Sequence, residues 1–300
     1  MSMTTQLSIV VRNVIPHSRA RFMRIYWQKE DAPNVKLSIM NRRIKLIMAV
    51  LAVIMLFWNT ANAQKTYIVC VGVGNYASSE INHLPCSKGD ARSIARFFHK
   101  YNNSEVFMLL DKNATRSHII RVLKAQFAKS TEKDEIIFAY SGHGFDGGIT
   151  CYDTQIGNDL KNVVYCYEIQ QILRNCKARR KVMFIMSCHS GSFTKKYGNV
   201  KQQYDYKSKK SNVMLYLSSR ANESSWETNA MTRSFFFEYL LKGLRGYADK
   251  NGDNLVTARE LFNYVNAGVI SVTDGQQHPQ MYGKFDDDMV VVKVKDYEGN

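Results

Sequence analysis

Two apolar runs, each ending in a polar turn with glycine, constrain this chain more than any other feature. Val182 to Met186 stops abruptly at Ser187, Cys188, His189, Ser190 and Gly191. Glu135 to Ser141 stops in the same way at Gly142, His143 and Gly144. A short apolar run with charge before it and Ser or Gly after it reads as a buried strand. One strand end delivers a cysteine and the other a histidine. If the two strands are neighbours in a parallel sheet, Cys188 and His143 emerge at the same edge, where open α/β sheets place their sites.

The rest of the pattern agrees with such a sheet. Strands are predicted at 66–73, 105–110, 135–141, 181–187, 213–218 and 289–294. Helices are predicted at 90–98, from the cap Thr115 through Phe127, at 168–173, 232–244 and 258–265. Alternating strands and helices imply an α/β fold whose mostly parallel sheet is covered on both faces. The run at 66–73 is apolar throughout, as in a central strand, and its Cys70 reads as core.

The net charge of +15 could suggest nucleic acid, but its location argues otherwise. Residues 1–63 hold nine Lys/Arg and two Asp/Glu, and 192–212 holds six Lys and one Asp. The rest is close to neutral, so no nucleic-acid partner is expected. Asn41 to Lys45 is basic, Leu46 to Trp58 is apolar, and Ala61-Asn62-Ala63 is a small-x-small cleavage sequence. That is a secretory signal peptide, and an apolar run this short falls below the roughly 20 residues a membrane span needs. The expected organisation is a leader at 1–39 that reads as a start called too early, a signal peptide at 40–63, and one domain at 64–300. The mature protein is then exported, periplasmic or secreted, with no stable membrane insertion. Six cysteines without a CxxC pair exclude a zinc ribbon and fall far short of a disulfide scaffold.

A thiol becomes a nucleophile as thiolate, and a nearby imidazole can take its proton. Cys188 and His143 therefore point to acyl transfer, with the main-chain amides of Gly144 and Cys188 as oxyanion donors. Their separation of 45 residues is close to the ~50 of a caspase-type arrangement.

The blocks Tyr140-Ser-Gly-His-Gly144 and Ser187-Cys-His-Ser-Gly191 resemble the two catalytic blocks of the caspase-like cysteine peptidases, nearest the bacterial metacaspase-like branch. Val71 to Tyr76, Asp90-Ala91, Leu217 to Arg220 and Phe235 to Gly246 are similar to further segments of that family. The resemblance implies a caspase-like three-layer α/β/α sandwich with about six strands. It also implies an endopeptidase with a His143–Cys188 dyad, acting on a peptide or protein substrate and needing no cofactor for its chemistry. The alternative is a silent module that binds peptides or partners through the same cleft. One departure stands out: metacaspase-like enzymes carry Asp two residues before the cysteine, and this chain has Met186. Ser225-Trp226-Glu227 resembles the Ser-Trp-Arg segment of caspases with the charge reversed, which implies a preference for Lys or Arg. Asp146 and Asp153 are further candidate substrate acids, and each is equally the kind of acid a solvated loop carries. Members of that family can be cut between their two halves, which here is 193–211, a stretch that also reads as a plain surface loop.

A separate motif lies between the last two helices. Asp249, Asn251, Asp253, the Leu255 carbonyl, Thr257 and Glu260 fall at the ligand positions of an EF-hand loop, with Asn254 where glycine is usual. Thr257 to Glu260 is also a capping box. A structural Ca2+ site is the expectation.

Overall fold

The structure is a computed structural model that describes residues 47–48, 64–101, 103–145, 147–187, 213–220, 222–227, 232–283, 285–286 and 288–296. The chain divides into units 1–58 and 59–300. Of the first, only Ile47 and Met48 are described, both helical and exposed. The expected leader, nearly all of the signal peptide and the whole of the 192–212 loop therefore lie outside the described residues.

The second unit is built on six strands: β1 (Thr66–Gly72), β2 (Ser104–Leu110), β3 (Glu135–Ser141), β7 (Arg180–Met186), β8 (Val213–Leu217) and β10 (Gln280–Gly283). Their order across the sheet is β10-β8-β7-β3-β1-β2. Every pairing is parallel except the last, β10 on β8. The expected six-stranded, mostly parallel sheet is present, with one exchange of members. The predicted 289–294 strand appears as β11 (Val290–Lys293), but it pairs with the short β9 (Leu255–Thr257) in a separate ribbon. Gln280–Gly283 takes the sixth place, because a segment with little strand pattern of its own gains its hydrogen bonds from β8.

Period-two alternation sends side chains to two separate cores. Val69, Val71, Phe138, Tyr140, Met183 and Ile185 face α2 (Arg116–Phe127) and α3 (Cys166–Asn175). Ile68, Cys70, Ile137, Ala139, Val182 and Phe184 face α1 (Ser87–His99), α4 (Phe235–Lys242) and α5 (Ala258–Val272). Each helix carries its apolar residues at helical spacing, as with Ile119, Val122, Leu123 and Phe127 on α2 and Leu261, Val265 and Val269 on α5. The result is a three-layer α/β/α sandwich.

Helix ends follow the sequence signals. Thr115 caps α2 by accepting the His118 amide at 3.4 Å, and Thr257 with Glu260 forms the predicted capping box on α5. At the other end of α3, the buried Lys181 ammonium donates to the Leu173 carbonyl at 2.7 Å and the Cys176 carbonyl at 3.2 Å. A cation there answers the helix dipole and its orphan carbonyls. The five described cysteines, Cys70, Cys86, Cys151, Cys166 and Cys176, are all buried. No described helix is long and apolar enough to cross a membrane.

Beyond β3 the chain forms a small sheet of β4 (Gly144–Phe145), β5 (Gly148–Ile149) and β6 (Val164–Tyr165). Sequence periodicity does not reveal strands of two residues.

Candidate active site

The register of β3 on β7 assembles the site. The two strands pair in parallel from Glu135↔Arg180 to Ser141↔Met186, and the Gly142 amide extends the ladder by donating to the Met186 carbonyl at 3.1 Å. His143 is two residues past Ser141, and Cys188 is two residues past Met186. The two expected catalytic residues thus follow paired positions on adjacent strands. Cys188 itself, like Asp146, lies outside the described residues.

His143 is held by its backbone and by its ring. The Tyr76 hydroxyl accepts the His143 amide at 2.9 Å. The His143 carbonyl accepts the Tyr140 hydroxyl at 2.7 Å and the Thr150 hydroxyl at 2.9 Å. Burial pushes the Tyr76 phenol up to about 12, so it stays a neutral donor and acceptor across the ordinary pH range. Gly142 is required by this packing: a Cβ there would lie 2.3 Å from the Tyr140 hydroxyl. The ring Nε2 sits 2.9 Å from the Asn82 carbonyl. A carbonyl can only accept, so Nε2 carries the proton and Nδ1 is the basic nitrogen. Burial holds the imidazole below its usual value, against the opposing pull of the Asn82 carbonyl. A neutral imidazole with an assigned tautomer is the state a general base needs.

The loop that brings Tyr76 and Asn82 over the sheet edge is pinned by Asp111. One Asp111 oxygen accepts the amides of Gly74 and Asn75 at 2.9 and 3.0 Å, and the other meets Lys88 at 3.0 Å. Burial raises this carboxyl, but those donors together hold it below the usual carboxylate range. Sequence reasoning missed Asn82 because its contribution is a main-chain oxygen, which residue type does not advertise.

On the other side, Ser187 is anchored just before Cys188. Its amide donates to Ser218 Oγ at 3.2 Å, and its carbonyl accepts Ser225 Oγ at 3.0 Å. A small pocket of about 20 Å³ lies between these elements, lined by Leu84, Ser87, Gly142, His143, Met186, Ser187, Ser225 and Glu227. Five buried side-chain oxygens among the described residues lack a hydrogen-bond partner, and three of them are here: Ser187 Oγ and both oxygens of Glu227. Burial raises the Glu227 pKa, opposed by the Cys86 amide and thiol and then by His83. Behind it sits the fully buried Asp90, which accepts Ser141 Oγ at 2.7 Å and the Ser234 amide at 2.8 Å. Burial lifts Asp90 to about 7 despite these donors, and the Glu227 charge adds to the rise.

The other predicted acids are placed differently. Asp153 accepts the Arg116 amide at 2.8 Å, so it serves the start of α2 and does not line the pocket. Gly144 follows His143 into β4 and pairs with Ile149. In the 249–260 loop, Asp249 accepts the amides of Gly252, Asp253 and Asn254 at 2.8 to 3.2 Å, and Glu260 accepts those of Lys250 and Thr257. Asn254 takes φ 65°, the left-handed geometry expected at that position. Among the described residues, no group of three or more His, Cys, Asp or Glu side chains is placed to hold a metal.

The fold defines a class: an open α/β sandwich in which β3, leading to His143, and β7 run side by side to one sheet edge. The chain belongs to the caspase domain family, whose model matches residues 65–290, within the cysteine protease superfamily. The solved structure of protein GSU0716 from Geobacter sulfurreducens is similar, with 17% identity over 72% of this chain and 92% of that one, and a TM-score of 0.51. That identity supports a shared fold only. No curated protein matches the chain.

Proposed function

We propose that this chain is a cysteine endopeptidase that cuts after Lys or Arg. The Cys188 thiol gives its proton to His143 Nδ1, and the thiolate attacks the scissile carbonyl. The C–N bond breaks as the imidazolium protonates the leaving amine. Water, deprotonated by the same imidazole, then hydrolyses the thioester and returns the free thiol. The amides of Gly144 and Cys188 are the assigned oxyanion donors.

One observation carries the specificity: the three partnerless oxygens belong to Ser187 and Glu227, which line the same pocket as His143. Buried polar atoms without partners call for an explanation. A Lys ammonium or Arg guanidinium entering beside His143 supplies both charge and donors. Glu227 would thus replace the acid absent at Met186. Asp146 stays a further candidate for substrate contact.

The test is a panel of fluorogenic peptides ending in Arg, Lys or Asp, run with the full chain and with Cys188→Ala. Arg and Lys peptides should be cut, an iodoacetamide-type label should land on Cys188, and the variant should be inactive. A chain that binds these peptides but cuts none is a silent module instead.

Three further proposals rest on sequence. Residues 40–63 act as a signal peptide, so the N-terminus of the exported protein should be Gln64. The 192–212 loop is a surface segment, and a basic-specific enzyme could cut it. The 249–260 loop takes a structural Ca2+ through Asp249, Asn251, Asp253, the Leu255 carbonyl, Thr257 and Glu260, a donor set of oxygens that suits this ion.

A further inference from the structure

We propose that Gln277 is a positioning residue, a buried carboxamide that sets the distance between the end of β8 and the segment bearing Glu227. This rests on the peptidase reading above. Gln277 is 0% exposed and lies beyond α5, far in sequence from either partner. Its Oε1 accepts the Trp226 amide at 2.8 Å, and its Nε2 donates to the Ser218 carbonyl at 2.8 Å. Because an amide can only donate and a carbonyl can only accept, these partners fix which way the carboxamide points. No other uncharged side chain of this reach presents one acceptor and one donor in that fixed fork.

Both ends of the fork lead into the site. Ser218 is the residue whose hydroxyl accepts the Ser187 amide, one residue before Cys188. Trp226 lies between Ser225, whose hydroxyl donates to the Ser187 carbonyl, and Glu227, which lines the pocket. The Ser218 and Ser225 hydroxyls lie 2.6 Å apart. Gln277 is itself seated by its amide, which donates to Thr273 Oγ1 at 3.2 Å, while that hydroxyl donates to the Val269 carbonyl at 2.8 Å. A path of hydrogen bonds therefore runs from the end of α5 to the residue before the nucleophile. Its middle member also places the specificity carboxylate. Beside it, Glu223 accepts the His278 amide at 3.0 Å, so the start of the same loop is tied to the residue after Gln277.

The experiment compares the full chain with Gln277→Glu, which is isosteric but puts an oxygen against the Ser218 carbonyl, and with Gln277→Met, which keeps the volume and drops both bonds. For peptides ending in Arg, kcat/KM should fall by about 10- to 100-fold, mostly through KM, as expected for losing one or two buried hydrogen bonds. Alkylation of Cys188 by iodoacetamide, which does not use the Glu227 pocket, should change less than about threefold. Hydrogen exchange should rise across 222–227 and stay protected in β7. Unchanged kcat/KM, or alkylation slowed as much as cleavage, overturns the positioning role. If the wild type cuts no peptide, the peptidase reading fails, and hydrogen exchange still decides: wild-type protection of 222–227 in both variants removes Gln277 from any positioning role.

Discussion

Replacing Glu227 with Gln should push stability and activity in opposite directions. Glu227 lines the pocket, and both oxygens of its carboxylate are buried and without partners. A buried polar group in that state costs on the order of 1–3 kcal/mol. A neutral amide of the same shape removes part of that cost, so stability should rise by about 1 kcal/mol, or about 2–4 °C in Tm for a domain of this size. The sign of the pH dependence follows from the raised Glu227 pKa. A carboxyl whose folded pKa is raised contributes stability that is present below its unfolded value and lost as pH rises through the folded value. The advantage of the variant should therefore be seen at pH 8 and shrink toward pH 4. Asp90 should also ionise at lower pH once its negative neighbour is gone. Activity should move the other way. Removing one partner of a buried charge pair costs about 2–5 kcal/mol, or roughly 30- to 5000-fold in kcat/KM. That loss should apply to peptides ending in Arg, while peptides ending in a neutral residue change less than about threefold. Differential scanning calorimetry and fluorogenic kinetics read both halves. A lower Tm at pH 8, or equal losses for Arg and neutral peptides, would refute the assignment of Glu227 as a cation-binding carboxylate.

Other outcomes follow from the same geometry. Asp90→Asn should flatten the fall in stability between pH 4 and 8, because the wild-type carboxyl is lifted to about 7 and its protonated form is what the fold favours there; a slope unchanged in pH-dependent denaturation would exclude it. Gly142→Ala should cost about 1–3 kcal/mol in urea unfolding, since the Tyr140 hydroxyl must leave the new Cβ and with it the His143 carbonyl. The acid limb of kcat/KM should have a midpoint under 6.5, as burial lowers His143; a midpoint above that value would mean another group is being titrated. Adding Ca2+ should raise Tm and chelator should lower it, and an unchanged Tm in both would remove the calcium proposal for 249–260.

How much of this was legible in the sequence depends on what each element owes to its own residues. The strands β1, β3, β7 and β8 are apolar runs longer than any turn, so their burial and parallel pairing could be read directly. The capping signals at Thr115 and Thr257 are local hydrogen bonds, and both formed as read. The β10 strand and the two-residue strands after His143 were not legible, because their pairing comes from neighbours already in place. Asp153 looked like a cleft acid by sequence distance from His143, yet the start of α2 takes its oxygen.

The sequence alone determined the α/β class, the two strand ends and the pair of residues worth testing as a dyad. Those follow from local hydrophobic pattern and from side-chain chemistry, which are properties of neighbouring residues. The tertiary structure decided the rest. It set the β3–β7 register behind His143 and Cys188, the Asn82 carbonyl that chooses the imidazole tautomer, and the partnerless Glu227 beside them. Each of these joins segments many tens of residues apart, and packing, not the linear order of residues, selects which distant atoms meet.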